Sequence, residues 1–247
     1  MLKISVITLC KNNEDTIADA MRSFQLQDYP HKEHIIIDGA STDNTLNIIK
    51  QFTPEILKSE PDSGMYFAAN KGIALSTGDI IAFLHADDFF ADNQVLSRMV
   101  SLMEQNNADA AYADLCYVSK NNTNHTIRYW QAGEFSQKRL KYGWMPPHPT
   151  FFVKKSVYQK YGDFDTSYKI AADYDIMMRF LSKPEIRVAY CPTTTVKMRV
   201  GGISNRSASN ITIKIKEDLR AARSNKIGGV FTLIFKNLRK INQFFKR

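Results

Sequence analysis

Short apolar runs alternate with helix-forming segments along the first half of this chain of 247 residues. The runs ISVITLC (4–10), HIIIDG (34–39) and DIIAFL (79–84) are rich in β-branched residues and end at polar or turn-forming residues, as buried strands do. Between them, segments such as 14–27 place apolar residues at helical spacing. Strands that alternate with helices predict an α/β fold with a Rossmann-like, mostly parallel sheet flanked by helices.

Polar side chains interrupt these runs at the point where each predicted strand ends. The carboxyl ends of parallel strands share one edge of the sheet, where α/β proteins bind their ligands. Four separate segments should therefore bring their polar groups together at this edge. The residues concerned are Lys11, Asn12, Glu14, Asp38, Ser41, Asp43, Asp62, Asp87 and Asp88.

Two adjacent carboxylates, Asp87 and Asp88, lie between apolar residues in FLHADDFF (83–90). Like charges repel each other, and burying a carboxylate without compensation is costly. Either a cation offsets the repulsion, or the pair occupies an open turn or caps the next helix. A hard divalent cation such as Mg²⁺ or Mn²⁺, which prefers oxygen ligands, would serve the first arrangement.

Positive charge is concentrated at the end of the chain. The net charge of +8 lies in residues 214–247, where ten Lys and Arg accompany two acidic residues, whereas residues 1–213 hold 23 of each kind. A neutral body makes a nucleic-acid-binding module a poor interpretation, and we expect no nucleic-acid partner. The sequence predicts a globular domain over 1–213 and a basic, amphipathic helical segment over 214–247.

Cysteine usage and hydropathy indicate the compartment. Cys10, Cys116 and Cys191 have no metal-ligand spacing and suggest a reducing environment. Charge soon interrupts the apolar N-terminal run, which makes it a poor signal peptide, and no apolar run reaches the length of a spanning helix. We expect a cytoplasmic location.

The segment KIGGVFTLIFKNLRKINQFFKR (226–247) combines apolar residues near helical spacing with cationic flanks. This pattern predicts a helix that lies in an anionic membrane interface, peripheral on the inner face of a bacterial plasma membrane. Two alternatives remain open, namely a terminal helix packed on the body and a helix that binds a partner.

Seven segments, in this order, resemble the family 2 glycosyltransferases, which are inverting enzymes with the GT-A fold. They are SVITLCKNNEDTI, IIIDGASTDNT, SEPDSGMYFAANKGI, TGDIIAFLHADD, PHPTFFVKK, AADYDIMMR and GGIS, within residues 4–204. The resemblance is greatest to bacterial enzymes that extend surface polysaccharides. It implies transfer of a sugar from a nucleotide-diphosphate sugar, with UDP the expected nucleotide, to a hydroxyl of a glycan acceptor that is expected to be lipid-linked.

The resemblance assigns residues 1–118 to the nucleotide-sugar. Asp88 matches the DXD-like motif, here ADD, and would ligate Mg²⁺ or Mn²⁺ with Asp87 beside it. Asp38 would contact the base or the ribose. Further nucleotide-sugar contacts are expected at Thr8, Glu14, Asp62 and Lys71. The residues alone allow simpler roles, because Asp38 starts an Asp-Gly turn, PDSG is a polar turn, and Glu14 could be a first-turn helix acid.

The resemblance assigns residues 119–213 to the acceptor. Asp173 in AADYD would be the general base, since inversion by one displacement needs one carboxylate beside the acceptor hydroxyl. Ala172 stands where many members have Glu, which leaves open whether Asp173 or Asp175 acts. His148 in PPHPT would lie beside the acceptor, or would be a surface-loop histidine. GGIS (201–204) would be a mobile loop near the donor, or a plain hairpin turn.

Two other functions remain alternatives. A sugar nucleotidyltransferase would need a glycine-rich phosphate loop near its N-terminus, and LCKNNEDT has no such glycines. A non-catalytic, membrane-associated scaffold would not need Asp38, Asp88 and Asp173 together in one chain.

Overall fold

The computed structural model describes residues 1–201, 208–241 and 243, which form a nine-stranded sheet flanked by helices. The strands are β1 (Ile4–Cys10), β2 (Lys32–Asp38), β3 (Ile56–Ser59), β4 (Ile80–Phe83), β5 (Phe89–Phe90), β6 (Ala110–Val118), β7 (Thr126–Trp130), β8 (Phe152–Lys154) and β9 (Val188–Arg199). The helices are α1 (Ile17–Gln25), α2 (Thr45–Lys50), α3 (Met65–Leu75), α4 (Val95–Gln105), α5 (Gln137–Leu140), α6 (Lys155–Tyr161), α7 (Ala172–Leu181), α8 (Ala208–Ser224) and α9 (Val230–Ile241).

The strand order is β3–β2–β1–β4–β8–β6–β9–β5, with β7 paired to β6. The first four strands run parallel, as the sequence predicts. Beyond β4, strand β8 is antiparallel to both of its neighbours, and β6 runs parallel to β9. The expected α/β fold is confirmed, but the sheet as a whole is mixed, because β8 and the β6–β7 hairpin introduce antiparallel pairings.

Helices on both faces of the sheet explain the composition of the first strands. β1 and β2 are buried over nearly their whole length, so both of their faces carry apolar side chains. α1 covers them with Ile17, Ala20, Met21 and Phe24, at the spacing that the sequence predicts. The buried faces of these elements therefore fix where the strand-end loops emerge.

Strand β9 has no clear signature in the sequence. It contains Pro192 and three threonines, and its burial does not alternate. Its pairing with β6 includes two register shifts around Asp114, so a period of two is lost along the strand. Residues 119–150, which look irregular in the sequence, also contain β7 and α5.

The C-terminal helices α8 and α9 pack on the body. Ala221, Ala222, Ile227 and Leu233 belong to the same core cluster as α7. The expected domain boundary between residues 213 and 214 falls inside α8, so no break in secondary structure marks it. The division of the chain into two domains stays a prediction.

Helix α9 has two different faces. One face packs on the body, as in one of the alternatives for this segment, and the opposite face is exposed to solvent. The large apolar residues on the exposed face are Val230, Phe231, Ile234, Phe235 and Leu238. Over the described ranges, none of the helices combines the length and apolar character needed to cross a bilayer.

Gly143 allows α9 to approach the body closely, which leads to a prediction. Its φ is +69°, and a Cβ there would clash with the backbone nitrogen of Lys236. We expect Gly143→Ala to destabilise the docked helix by roughly 1–3 kcal/mol, measured as faster hydrogen exchange of the amides in α9. Gly229→Ala is the matched control, because a Cβ there meets nothing within 4 Å. Unchanged protection of α9 in Gly143→Ala would contradict this account of the docking.

Candidate active site

The loops that follow β1 and β2 are tied to each other by side chains. Asn12 and Ala40 have positive φ, which lets both loops turn sharply. The backbone N–H of Asn12 donates to Ser41 Oγ at 2.8 Å, and the N–H of Thr42 donates to Asn12 Oδ1 at 2.8 Å. Polar residues from two segments therefore meet at the strand ends, where the sequence predicts a site.

Glu14 and Asp43 complete this connection between the two loops. Glu14 Oε2 accepts the N–H of Asn44 at 2.9 Å, and Asp43 Oδ2 accepts the N–H of Glu14 at 3.1 Å. Asp43 also accepts the N–H of Thr45 at 3.0 Å, at the start of α2. Both carboxylates thus have a structural role, and the contact of Glu14 with a nucleotide stays a prediction.

Asp38 is a fully buried carboxylate at the end of β2. It accepts hydrogen bonds from Ser59 Oγ at 2.7 Å and from the N–H and hydroxyl of Ser41 at 3.0 and 2.5 Å. Burial, and next the charge of Asp38, raise the pKa of the adjacent Cys10 thiol. Asp38 therefore fixes the ends of β2 and β3, and its contact with a base or ribose stays a prediction.

Thr8 lies inside the fold rather than at the open strand end. It has no exposed surface, and its hydroxyl is 2.9 Å from His34 Nε2. Burial lowers the pKa of His34 to about 3, so the ring is neutral at pH 7. In this structure Thr8 joins β1 to β2, and its contact with a nucleotide stays a prediction.

Asp62 and Lys71 contact each other. The Lys71 ammonium pairs with Asp62 Oδ1 and lies 2.6 Å from Glu60 Oε1, and these hydrogen bonds raise the pKa of Lys71. The second carboxylate oxygen of Asp62 is buried and has no hydrogen-bond partner among the described residues. Lys71 thus neutralises two carboxylates here, and its contact with donor phosphate stays a prediction.

Asp88 is fully buried in the loop after β4. One carboxylate oxygen accepts the N–H of Arg199 at 3.2 Å, and the other has no hydrogen-bond partner among the described residues. Burial, and next the neighbouring Asp87, raise the pKa of Asp88. Within the part of the chain that the structure describes, the Asp87–Asp88 pair thus keeps one carboxylate oxygen without a hydrogen-bond partner.

Arg199, at the end of β9, holds this loop in place. Its guanidinium donates to the carbonyl of Asp87 at 2.7 Å, pairs with Asp19 of α1 and lies 5.0 Å from the Phe89 ring centroid. The sequence gives no signal for this role, because Arg199 and Asp88 are 111 residues apart and one arginine in a sequence does not show what it contacts.

Asp88 fits a divalent cation that is shared with a substrate. No group of three or more His, Cys, Asp or Glu surrounds a possible metal position within the described part of the chain. Mg²⁺, however, is commonly bound by one or two carboxylates together with substrate phosphates and water. The unpartnered oxygen of Asp88 and its raised pKa, both of which a cation would relieve, suit such an arrangement.

Three side chains connect the Asp88 loop to the predicted acceptor region. His85 Nε2 lies 3.1 Å from His148 Nε2, and His148 Nδ1 lies 3.5 Å from Asp173 Oδ2. Burial is the main reason that the pKa values of both histidines fall to about 4, so both rings are neutral at pH 7. The two rings therefore share one N–H···N hydrogen bond, and His148 Nδ1 is on the side of Asp173. No sequence pattern singles out His85, although HADD places it three residues before Asp88.

Geometry separates the two candidate bases on α7. Asp175 is buried and is bound by Arg179 at 2.9 Å and by Asn225, which directly follows α8, at 2.9 Å, so its carboxylate is occupied. The side chain of Asp173 is 30% exposed and lines a cavity, and burial raises its pKa. The arrangement favours Asp173 as the group that could accept a proton.

Helix α8 holds the start of α7 from outside. Glu217 accepts the backbone N–H groups of Lys169, Ile170 and Ala171 at 2.8–3.0 Å. These amides come immediately before the helix that carries Asp173. Glu217 lies in the segment 214–247, whose sequence predicts a basic helical tail. That pattern gives no indication that Glu217 binds these backbone amides.

Of the predicted loop GGIS, only Gly201 lies within the described residues, with φ +113°. Residues 202–204 lie outside them, so both interpretations of this loop remain as predicted.

Comparison with known proteins bears on the whole arrangement. The model of Glycosyl transferase family 2 matches residues 5–170. A PGL/p-HBAD biosynthesis glycosyltransferase of Mycobacterium bovis is 30% identical over 204 residues, which cover 79% of this chain and 75% of that protein. TuaG of Bacillus subtilis, named for teichuronic acid biosynthesis, is 34% identical over 107 residues, which cover 41% of this chain and 42% of TuaG.

Solved structures share the fold. TarS 1–349 of S. aureus in complex with UDP-GlcNAc has a TM-score of 0.70 at 17% identity and covers 92% of this chain and 66% of TarS 1–349. The mannosyltransferase PcManGT of Pyrobaculum calidifontis, in complex with GDP-Man and Mn²⁺, has a TM-score of 0.66 at 16% identity. The match covers 96% of this chain and 73% of PcManGT. These likenesses concern the fold and agree with the expected GT-A architecture.

The raised pKa of Asp88 predicts an unusual stability effect. An acid whose pKa is higher in the folded than in the unfolded state destabilises the fold at pH 7, and this penalty disappears as the pH falls through the raised value. We expect Asp88→Asn, in EDTA, to increase the free energy of unfolding at pH 7 by about 1 kcal/mol. Denaturant unfolding measured from pH 7 to pH 4 should show this advantage shrinking.

The exposed Asp28 provides the control, and Asp28→Asn should change stability by less than about 0.5 kcal/mol. If Asp88→Asn were clearly less stable than the wild type at pH 7, the fold would need the Asp88 charge without any cation.

Proposed function

We propose that this chain transfers a sugar, with inversion, from a UDP-sugar to a hydroxyl of a glycan acceptor. The chain belongs to glycosyl transferase family 2 and is a glycosyltransferase. The observation that carries the proposal is the contact chain from His85 through His148 to Asp173. It brings the candidate metal ligand loop and the candidate base to one place, as a single displacement between donor and acceptor requires.

The donor is proposed to bind at the strand ends. Glu14, Asp38, Asp62, Lys71 and Asp87 are the proposed contacts of the nucleotide-sugar, with Asp88 as the metal ligand. The UDP-GlcNAc bound to TarS supports uridine as the base, while the GDP-Man bound to PcManGT makes guanosine the alternative to test.

The acceptor hydroxyl attacks the anomeric carbon as the bond to the diphosphate breaks, and Asp173 takes the hydroxyl proton. Burial raises the pKa of Asp173, which makes it a better proton acceptor than an ordinary carboxylate. His148 Nδ1 lies beside that carboxylate, and Glu217 fixes the start of α7. When bound at Asp88, a divalent cation supplies charge neutralisation for the diphosphate leaving group.

The acceptor is proposed to be a lipid-linked glycan at the inner face of a bacterial plasma membrane. The relatives named for PGL/p-HBAD and teichuronic acid biosynthesis support a cell-envelope glycan or glycolipid. The exposed apolar face of α9 supports a membrane contact, because five large apolar side chains lie in one stripe beside Arg239.

The proposed roles of Asp88 and Asp173 predict opposite defects. In calorimetric titrations with UDP, GDP or dTDP, with and without Mn²⁺, one nucleotide should bind with metal, and Asp88→Asn should lose that binding. Asp173→Asn should bind the same nucleotide normally and lose roughly 10²–10⁴-fold in kcat, since only the proton acceptor is removed.

Asp175→Asn is not a suitable control, because Asp175 binds Arg179 and Asn225, so the control is Asp28→Asn at an exposed position. A folded protein that binds none of the nucleotides would support the scaffold alternative. Full activity of Asp173→Asn would assign the base elsewhere.

The membrane proposal predicts a defect confined to α9. Phe231→Ser with Leu238→Ser should weaken binding to phosphatidylglycerol vesicles by roughly tenfold or more, because both side chains lose apolar area that would enter the interface. Vesicle sedimentation measures this, with Ile127→Ser and Ile211→Ser as controls, since both are exposed outside α9. Equal binding by both double variants would exclude α9 as the contact.

A further inference from the structure

A cavity of about 340 Å³ opens beside Asp173. Its walls come from the β6–β7 hairpin, the start of α7, the end of β9, and helices α8 and α9. None of the proposed nucleotide contacts lines it, whereas His148 and Asp173 do. The cavity is thus placed for the part of the acceptor that extends beyond the reacting hydroxyl.

Tyr174 presents an unused hydrogen-bond donor to this cavity. The residue is 1% exposed, it lines the cavity, and its hydroxyl has no hydrogen-bond partner among the described residues. Buried polar groups nearly always have a partner, so an unpartnered one beside a cavity points to a ligand. Burial raises the pKa of Tyr174, so the phenol keeps its proton and can donate it to a ligand oxygen.

Two ammonium groups from the C-terminal helices lie at the same cavity. Lys236 of α9 is 6% exposed, bonds Asp218 at 2.8 Å and lies 3.4 Å from the centroid of the Tyr174 ring. Lys214 of α8 is near enough to His148 for its charge to contribute, after burial, to the lowered pKa of that ring. Both ammonium groups therefore belong to the lining of the cavity that Tyr174 also lines.

The cavity as a whole is cationic. Among its described lining residues, four are cationic and two are carboxylates, and two of the cations already have partners, because Lys236 pairs with Asp218 and Arg199 pairs with Asp19. The charged lining residues are Arg128, Asp173, Arg199, Lys214, Asp218 and Lys236. A neutral sugar needs no such excess of positive charge, whereas an anionic oxygen group does.

We infer that this cavity is a subsite for an anionic group of the acceptor, a phosphoryl or carboxylate group held by Lys214, Lys236 and the Tyr174 hydroxyl. The inference rests on the proposed function, because Asp173 at the edge of the cavity would act on a hydroxyl of the same molecule. It gives the C-terminal basic segment a role in acceptor selection that is separate from any membrane contact.

The test uses the full chain saturated with UDP and Mg²⁺, so that the donor site is filled. Inorganic phosphate and methyl glucuronide are titrated at constant ionic strength, and methyl glucoside, which lacks the carboxylate, is the neutral control. At least one of the two anions should bind, and methyl glucoside should not. Lys214→Gln and Tyr174→Phe should each weaken that binding by roughly tenfold.

Lys216→Gln is the matched control, because Lys216 is an exposed lysine on the same helix that does not line the cavity. Binding of phosphate alone would assign a phosphorylated acceptor, and binding of the glucuronide alone would assign an acidic sugar. Lack of binding by both anions, or equal binding by all variants, would overturn the inference.

Two further results separate this inference from the proposed function. If UDP displaces the anion, the cavity serves the donor diphosphate and the inference is wrong, while the glycosyltransferase proposal stands. If UDP binds neither to the unmodified protein nor to any variant, the proposed donor is wrong. The anion titrations in the nucleotide-free protein then still decide whether the cavity binds anions.

Discussion

The short strand β8 is the joint on which the arrangement of this molecule depends. Val153 pairs with Ile81 of β4 on one side and with Ala110 of β6 on the other, so three residues connect the parallel strands to the mixed part of the sheet. Because β8 runs antiparallel to β4, the residues before β8 lie beside the residues after β4. His148 is therefore placed against His85, and the loop that carries Asp88 comes within two side chains of Asp173.

Several buried polar groups in the described part of the chain lack a hydrogen-bond partner, and three of them belong to the proposed binding sites. Among the described residues, one oxygen each of Asp62 and Asp88 and the hydroxyl of Tyr174 are buried without a hydrogen bond. Each such group costs stability in the isolated protein, and a ligand that satisfies it regains that free energy on binding. The fold is thus less stable than its apolar core would allow, in the places where donor, cation and acceptor are proposed to bind.

The sequence predicts the parts of this structure that depend on local pattern. β1 follows from its run of apolar, β-branched residues, and α1 follows from apolar residues at helical spacing. Asp88 and Asp173 stand out because they lie in recognisable motifs. Arg199 and Glu217 do not stand out in the sequence, because their partners are far away in the chain and one sequence carries no record of such contacts.

The C-terminal segment shows the same limit. Its amphipathic pattern predicts a helix, which α9 confirms, but the pattern cannot show that the polar residue Lys236 turns inward to Asp218 while Phe231 faces solvent. Periodicity identifies two faces of a helix and leaves open what covers each of them.

The late position of Glu217 in the chain has a consequence for synthesis. Strands β1 to β4 and their loops leave the ribosome first and can form their own hydrogen bonds, as N-terminal units generally do. The clamp on residues 169–171 forms only after α8 has been made. In a nascent or interrupted chain, the segment that leads into Asp173 therefore lacks its three hydrogen bonds to Glu217, and the candidate base is held in place only once α8 is present.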